Sequence, residues 1–435
     1  MVSARGLALR ALVALHKGRR ERLRSELEGR GLEGRDLAFA FELAHGVVRR
    51  ERLLDHVLEG FAHRGLPKDP PLRMALRLGV YQLLFVPGMP SHAAVHETVE
   101  VVRQNKGFAN AILRHVAGAV QDVAADPARP RHQLPLAPER SFALPEPLPK
   151  DEVERLAVVH SLPDWLALRF GEQHGLEGLR QIAAAASATP GIYLRAGASV
   201  SRDTLRAELE AHEVEVEDAE HERLLRWSGG ASPFGTPPFE AGRFVVQDPT
   251  AMAAAAAVPC GPGDTVVDLC AAPGTKTTFL AERVAPEGKV FAYDPDERRR
   301  TRIAENVARL RLEGAVEIVA DPGSLQPADC VLADVPCSNT GVLGRRVEVR
   351  GRLKPETFDE LVGLQREILE QALGLTRPGG HVVYSTCSID REENDAVVDA
   401  ARQAHAGLEL VDSQLTLPHA GAHDGGYFAV LRRPG

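Results

Sequence analysis

Two cysteines, Cys337 in LADVPCSNTG and Cys387 in VYSTCSIDREEN, stand fifty residues apart, each behind an apolar strand-like run and each followed by a serine. An isolated intracellular cysteine is most often a small buried hydrophobe. These two instead sit where a strand gives way to a turn and side chains become accessible. Asp334 lies three residues before Cys337 in the same loop. A thiol, an acid and a bound methyl donor make sense together for one reaction class, alkylation of pyrimidine C5. That carbon is a poor nucleophile in an aromatic ring; a thiolate added to C6 turns it into an enamine carbon able to attack a methyl group. The acid, transiently protonated, would give a hydrogen bond or proton at N3 and absorb the charge developing on the ring. The residues alone do not say which cysteine attacks and which assists.

The elements around these loops alternate strand, turn and helix. DTVVDL, KVFAYD, VEIVA, DCVLAD and GHVVYS read as strands separated by helical segments. Such alternation predicts a mostly parallel sheet with helices on both faces, and ligands of such sheets bind beyond the carboxyl ends of the strands. The first turn there is DLCAAPGTKT, where Ala271, Ala272 and Gly274 let a ligand approach the backbone and the following helix start offers N–H groups. It lacks the glycine and the Gly-Lys-Ser/Thr order of a phosphate-gripping loop. Twenty residues past Gly274, Asp294 ends the second strand, placed to bind a ribose diol, and Asp321 follows the third, placed to contact an adenine edge. The predicted ligand is an adenosine derivative, either a dinucleotide or S-adenosylmethionine.

At 435 residues the chain is too long for one ordinary core. Residues 1–125 read as helix after helix: in PLRMALRLGVYQLLF, Leu72, Leu76, Val80 and Leu83 line one side, and Ala8, Leu12 and Leu15 do so near the start. Proline-dense residues 126–150 read as a semi-rigid linker, residues 151–240 as a small α+β subdomain, and residues 241–435 as the domain with the parallel sheet. Net charge is -8 overall, but the first 150 residues carry 23 basic and 16 acidic side chains. A basic N-terminal third on an acidic body suits a tethered polyanion-binding module. Cys260, Cys330 and the other three cysteines form no C-x-x-C pair and no zinc spacing, which predicts neither a disulfide framework nor a metal. No run approaches a membrane span. The expected setting is soluble, reducing and cytoplasmic.

DLCAAPGTKT, DVPCSNTGV, YSTCSIDREEN, FVVQDPTA and the terminal HDGGYFAVLRR resemble the successive motifs of the Nop/Sun RNA cytosine-5 methyltransferases. ALRLGVYQLLF, PSHAAVHETVEVV and KGFANAILRHV resemble the NusB-type helical RNA-binding domain of the bacterial Sun branch. The resemblance implies a multidomain protein: an all-α NusB-like domain, a small α+β subdomain and a Rossmann-like class I methyltransferase domain. It implies that Cys387 is the nucleophile and Cys337 the thiol needed for product release. It places Cys270, Ala271, Ala272, Pro273, Gly274, Thr275, Lys276, Asp294, Asp321 and Asp334 around S-adenosylmethionine, with Asp334 also near the base. The implied substrate is a cytosine of 16S rRNA, with tRNA as the alternative, bound by a monomer without metal. Thr275 stands where the family usually has a second glycine, Val335 where alanine is common, Val347 where proline is usual, Gly351 where an aromatic is frequent, and Ala196 where asparagine often follows Arg195. Arg345 and Arg346 are the candidate phosphate contacts. Two other function classes compete: a non-catalytic RNA-binding factor, disfavoured by Cys337, Cys387 and Asp334 together, and a nucleotide-dependent oxidoreductase or NTPase, disfavoured by the missing glycine-rich loop.

Overall fold

The computed structural model describes residues 3–18 and 23–435 and divides into two compact units. Unit 1 comprises residues 1–188 together with Arg346–Arg352; unit 2 comprises Thr189–Arg345 and Leu353–Gly435. Among the described residues no helix is long and apolar enough to cross a membrane, and no group of three or more His, Cys, Asp or Glu could hold a metal ion.

Unit 1 is built around the helix Pro70–Phe85, which is apolar on nearly every face and correspondingly buried on nearly all of them. Asp69 caps it by accepting from the Leu72 amide, and proline occupies its first turn, where the missing N–H has no consequence. The stretch around Phe39–Phe61 forms two helices, Gly34–Arg49 and Glu51–Glu59, parted at Arg50. Arg77, buried mid-helix, is held by Asp55 and Glu51. The segment read as a linker instead folds: residues 133–137 and 140–143 join 120–121 in a three-stranded antiparallel sheet. Its prolines are accommodated because Pro135 lies on an edge strand beside an irregularity in register, while Leu134 and Phe142 pack into the helical core. Helices Glu152–Val159 and Asp164–Ser187, the latter broken at Gly175, also belong to unit 1, so the compact boundary falls after Ala188 and not at 150.

Unit 2 carries two sheets. A four-stranded antiparallel sheet takes residues 192–196, 214–218, 224–230 and 244–246. The larger sheet has seven strands: β1 (Thr265–Asp268), β2 (Lys289–Ala292), β3 (Val316–Ile318), β4 (Ala328–Asp334), β5 (Thr376–Thr386), β6 (Glu409–Thr416) and β7 (Gly426–Arg432). They lie in the order β3-β2-β1-β4-β5-β7-β6. The first five are parallel, and β7 and β6 close the edge as an antiparallel pair. Helices α1 (Thr275–Val284), α2 (Glu297–Arg309), α3 (Pro355–Leu375) and α4 (Asp395–Ala404) follow or connect these strands. Central strands covered on both faces must be apolar throughout, and Val266, Val267, Val331, Leu332, Val382 and Val383 are all fully buried. The register pairs Asp334 with Ser385. The ends of β4 and β5 therefore finish level, and their two loops emerge side by side.

Candidate active site

Those loops bring the two cysteines into contact. The Sγ atoms of Cys337 and Cys387 are 3.2 Å apart, and Cys387 Sγ lies 3.4 Å from Asn339 Oδ1. Cys337 is buried and Cys387 partly exposed. The loops are stitched by backbone and hydroxyl contacts: Gly341 N donates to Cys387 O at 2.9 Å, and Thr340 Oγ1 meets Ser388 Oγ at 2.9 Å and accepts from Ile389 N at 3.1 Å. Gly341 must be glycine here, because a Cβ would come within 2.4 Å of Gly425 O and 2.8 Å of Cys387 O. The hydrogen bond with Cys387, then burial, then the charges of Cys387 and Glu393 push the Cys337 thiol well above its ordinary range.

Asp334 ends β4 with both oxygens engaged as acceptors, Oδ2 from Lys276 Nζ at 2.6 Å and Oδ1 from Ser385 Oγ at 2.7 Å. The donor that meets Asp334 Oδ2 is thus the Lys276 ammonium. Burial acts to lower the Lys276 ammonium, but Asp334 beside it, with Cys387 and Asp268, outweighs burial and raises it. Cys387, Lys276 and Asp334 line one pocket, together with Asp248, Thr250 and Asp424. Cys270, Asp294 and Asp321 are not on its wall.

The turn after β1 is arranged differently. Gly274 caps α1 in the left-handed region at φ +100°, so the helix starts without a side-chain cap, and Thr275 is its first residue rather than its cap. Asp268 is fully buried; Oδ2 accepts from Thr277 Oγ1 at 2.7 Å, while Oδ1 finds no partner among the described residues. Burial raises its carboxyl to about 7, opposed by the Thr277 hydrogen bond and reinforced by Asp334. Asp294 is also fully buried, accepting from Asp296 N at 3.1 Å and Ala272 N at 3.4 Å and facing Arg299 at 3.4 Å. Asp321 is exposed and accepts from Gly323 N at 2.9 Å, capping a short turn. Burial, then Asp334, Asp268 and Asp294, pushes the Cys270 thiol well above its ordinary range. An orphaned buried carboxylate beside an uncapped helix start fits a ligand with both a cationic group and a carboxylate, as S-adenosylmethionine has.

The remaining predicted residues have other employment. Arg345 is tied to Asp424 (2.7 Å), Asp248 (3.4 Å) and Gly191 O (3.0 Å), and Arg346 belongs to unit 1. Burial and Asp248 push Asp424 up to about 6 against the pull of Arg345. Val347 is fully buried in the core of unit 1, and Gly351 has open space around it. Arg195 is wholly buried against Glu282 (2.7 Å) and Gln247 (2.7 Å), a packing role that leaves it no reach to RNA. Sequence reasoning missed Glu393, whose carboxylate accepts from both serines that follow the cysteines. The signal was present in the matched Cys-Ser pairs and the acidic EEN that closes the second motif.

Parallel strands with an antiparallel edge pair, an uncapped helix start beside a buried acid and a thiol pair at the strand ends define a Rossmann-like methyltransferase. Residues 256–430 match the family described as 16S rRNA methyltransferase RsmB/F, and residues 2–118 match the NusB family. The chain is 31% identical to a probable ribosomal RNA small subunit methyltransferase B of Synechocystis, over 100% of both chains. It is 34% identical to a putative methyltransferase of Mycobacterium tuberculosis, covering 94% of this chain and 91% of the relative. Among solved structures, one titled as PH0851 aligns with a TM-score of 0.75 at 24% identity over 100% and 99% of the two chains. Another, NSun6 from Pyrococcus horikoshii with SFG, aligns at 0.56 and 20% identity over 61% and 96%. The chain belongs to the RsmB/F family of rRNA methyltransferases, whose methyl donor is S-adenosylmethionine.

Proposed function

We propose that this enzyme methylates C5 of a cytosine in 16S rRNA, in the cytoplasm, through a covalent bond between Cys387 and C6 of the base. The observation that carries the reading is the 3.2 Å contact between Cys337 and Cys387, with Cys387 on the wall of a pocket shared with Lys276 and Asp334. Of the two sulfurs, Cys387 is the more exposed and the one near the Lys276 ammonium, as a sulfur that is to meet a substrate must be. Its addition to C6 moves ring electrons toward N3, where the Lys276–Asp334 pair can take up the charge. Bound S-adenosylmethionine supplies an electrophilic methyl group. After transfer, the C5 proton leaves to water, the C5–C6 double bond re-forms and the C6–S bond breaks onto Cys387, which receives the hydrogen bond of Cys337. Presenting the cytosine unstacked costs a few kcal/mol, offset by contacts along the RNA backbone.

The test offers methyl-labelled S-adenosylmethionine and unmodified small-subunit rRNA to wild type, Cys387→Ala and Cys337→Ala. Cys387→Ala should form no denaturation-stable RNA adduct and transfer no label, whereas Cys337→Ala should accumulate adduct. Adduct formation by Cys387→Ala with none in Cys337→Ala would reverse the two roles.

A further inference from the structure

The serines behind the two cysteines share one buried carboxylate. Ser338 Oγ and Ser388 Oγ, 3.3 Å apart, both donate to Oε2 of Glu393 at 2.5 Å. Ser338 N donates to Oε1 at 2.8 Å and Gln365 Nε2 to the same oxygen at 2.9 Å. The same Gln365 amide reaches back to Pro336 O at 3.0 Å, so α3 braces the loop on both sides of Cys337. Glu393 is 0% exposed, and all four of these donors are neutral. Four donors onto two oxygens is the pattern of an acceptor-only, ionised carboxylate.

A negative charge is an expensive clamp in that position, since taking a carboxylate out of water costs several kcal/mol even after relaxation. A glutamine would bridge two loops with less desolvation, so the charge calls for its own account. The groups facing the cysteine pair are Glu393 from the turn before α4, Lys276 from α1 and Asp334 from β4, with Tyr384 of β5 and Asp268 of β1 behind them. Glu393 lies on the side of Cys337 and Lys276 on the side of Cys387. The pair thus has a buried anion on one side and, on the other, a partly exposed ammonium that is paired with Asp334.

We propose that Glu393 positions both thiols for the reaction: its carboxylate holds the two cysteine loops in contact and keeps the proton of the pair on Cys337, leaving Cys387 as the sulfur that bonds to the base. This rests on the reading of Cys387 as nucleophile. When the C6–S bond breaks, its electron pair goes to the Cys387 sulfur while the C5 proton passes to water. The departing sulfur then accepts a hydrogen bond from Cys337, which can donate only while protonated. Without the charge of Glu393, Cys337 loses its proton at lower pH and release stalls.

The experiment measures denaturation-stable RNA adduct at steady state between pH 7 and 9 for wild type, Glu393→Gln, Glu393→Asp and Cys337→Ala, with Cys387→Ala as the control for the nucleophile. Wild type and Glu393→Asp should hold a low adduct level that is flat with pH, and Cys337→Ala a high, flat level. Glu393→Gln should start near wild type at pH 7 and rise at least fivefold by pH 9. A clamp without an electrostatic role would change turnover but give Glu393→Gln a pH-independent adduct level, and that outcome overturns the proposal. Should Glu393→Gln not fold, a wild-type adduct level that climbs across this range overturns it as well. Loss of adduct from every variant together with adduct in Cys387→Ala defeats the nucleophile assignment instead, a separate failure.

Discussion

The turn after β1 and the paired turns after β4 and β5 occupy the same edge of one sheet, yet they are finished to different degrees. Around the cysteines, the hydroxyls of Ser338, Thr340 and Ser388 and the Gln365 Nε2 amide engage one another and Glu393, Gln365 Oε1 alone of these groups lacks a partner among the described residues, and glycine at 341 lets the backbones touch. Around the β1 turn, Asp268 Oδ1 has no partner among the described residues and α1 starts without a side-chain cap. The contrast separates what must be fixed before the substrates arrive from what a substrate completes. In the mechanism proposed above, the sulfur that bonds to carbon and the thiol that assists it gain from geometry set in advance. A cofactor pocket can leave a buried acid waiting, because the ligand itself supplies the missing partner.

The largest effect that would sharpen this contrast belongs to Asp334, which serves both turns. Asp334→Asn should lower kcat on the order of 10²–10⁴-fold, as for loss of a group acting on a reacting proton, with the Kd for S-adenosylmethionine changed far less. An equal loss in both would blur the distinction. Next comes Gly341→Ala, where the added methyl has nowhere to go. It should cost about 1–3 kcal/mol of stability by overpacking, seen in denaturant melts, and reduce adduct formation while leaving cofactor affinity near wild type.

On the other side of the comparison, Asp268→Asn should weaken S-adenosylmethionine by about tenfold, or 1.4 kcal/mol, at pH 8. The wild-type carboxyl is raised from 3.8 to about 7. A cationic ligand favours its ionised form, so wild-type affinity should strengthen as pH climbs through 7, and calorimetry should find the variant flat. Folding runs the opposite way: the stability associated with the raised carboxyl is complete below 3.8 and is lost as pH rises through about 7. The asparagine variant should lack that slope. Smallest is Thr275→Gly, which restores the usual residue at the first position of α1. It should lower stability by at most about 1 kcal/mol through helix propensity and shift cofactor affinity little, because Gly274 already provides the cap position.

Much of unit 2 was legible because its strands are fully apolar and its turns carry small residues, a pattern that few other folds produce. The parallel sheet, the β1 turn and the paired cysteine loops follow from it directly. Residues 126–150 misled because proline density normally signals a linker, and an edge strand that tolerates proline leaves no periodic trace in five residues. Glu393 was illegible for another reason. In DREEN it reads as the charged start of a surface helix, and only the register of β4 against β5 shows that it lies beneath both cysteines. Arg345 reads as a phosphate ligand until Asp424 and Asp248, distant in sequence, are seen to claim it.

Seven residues from the middle of the methyltransferase sequence, Arg346 to Arg352, are structurally part of the N-terminal unit. Arg350 is surrounded there by the carbonyls of Arg49, His160 and Ala186, and burial, then Arg49, brings its guanidinium down to about 9. A catalytic half excised at residue 189 would leave this arginine and Val347 without their lodging. The gene cannot be parted at its apparent seam, and any transplant of one half onto a foreign scaffold has to carry this borrowed strap along or rebuild its berth.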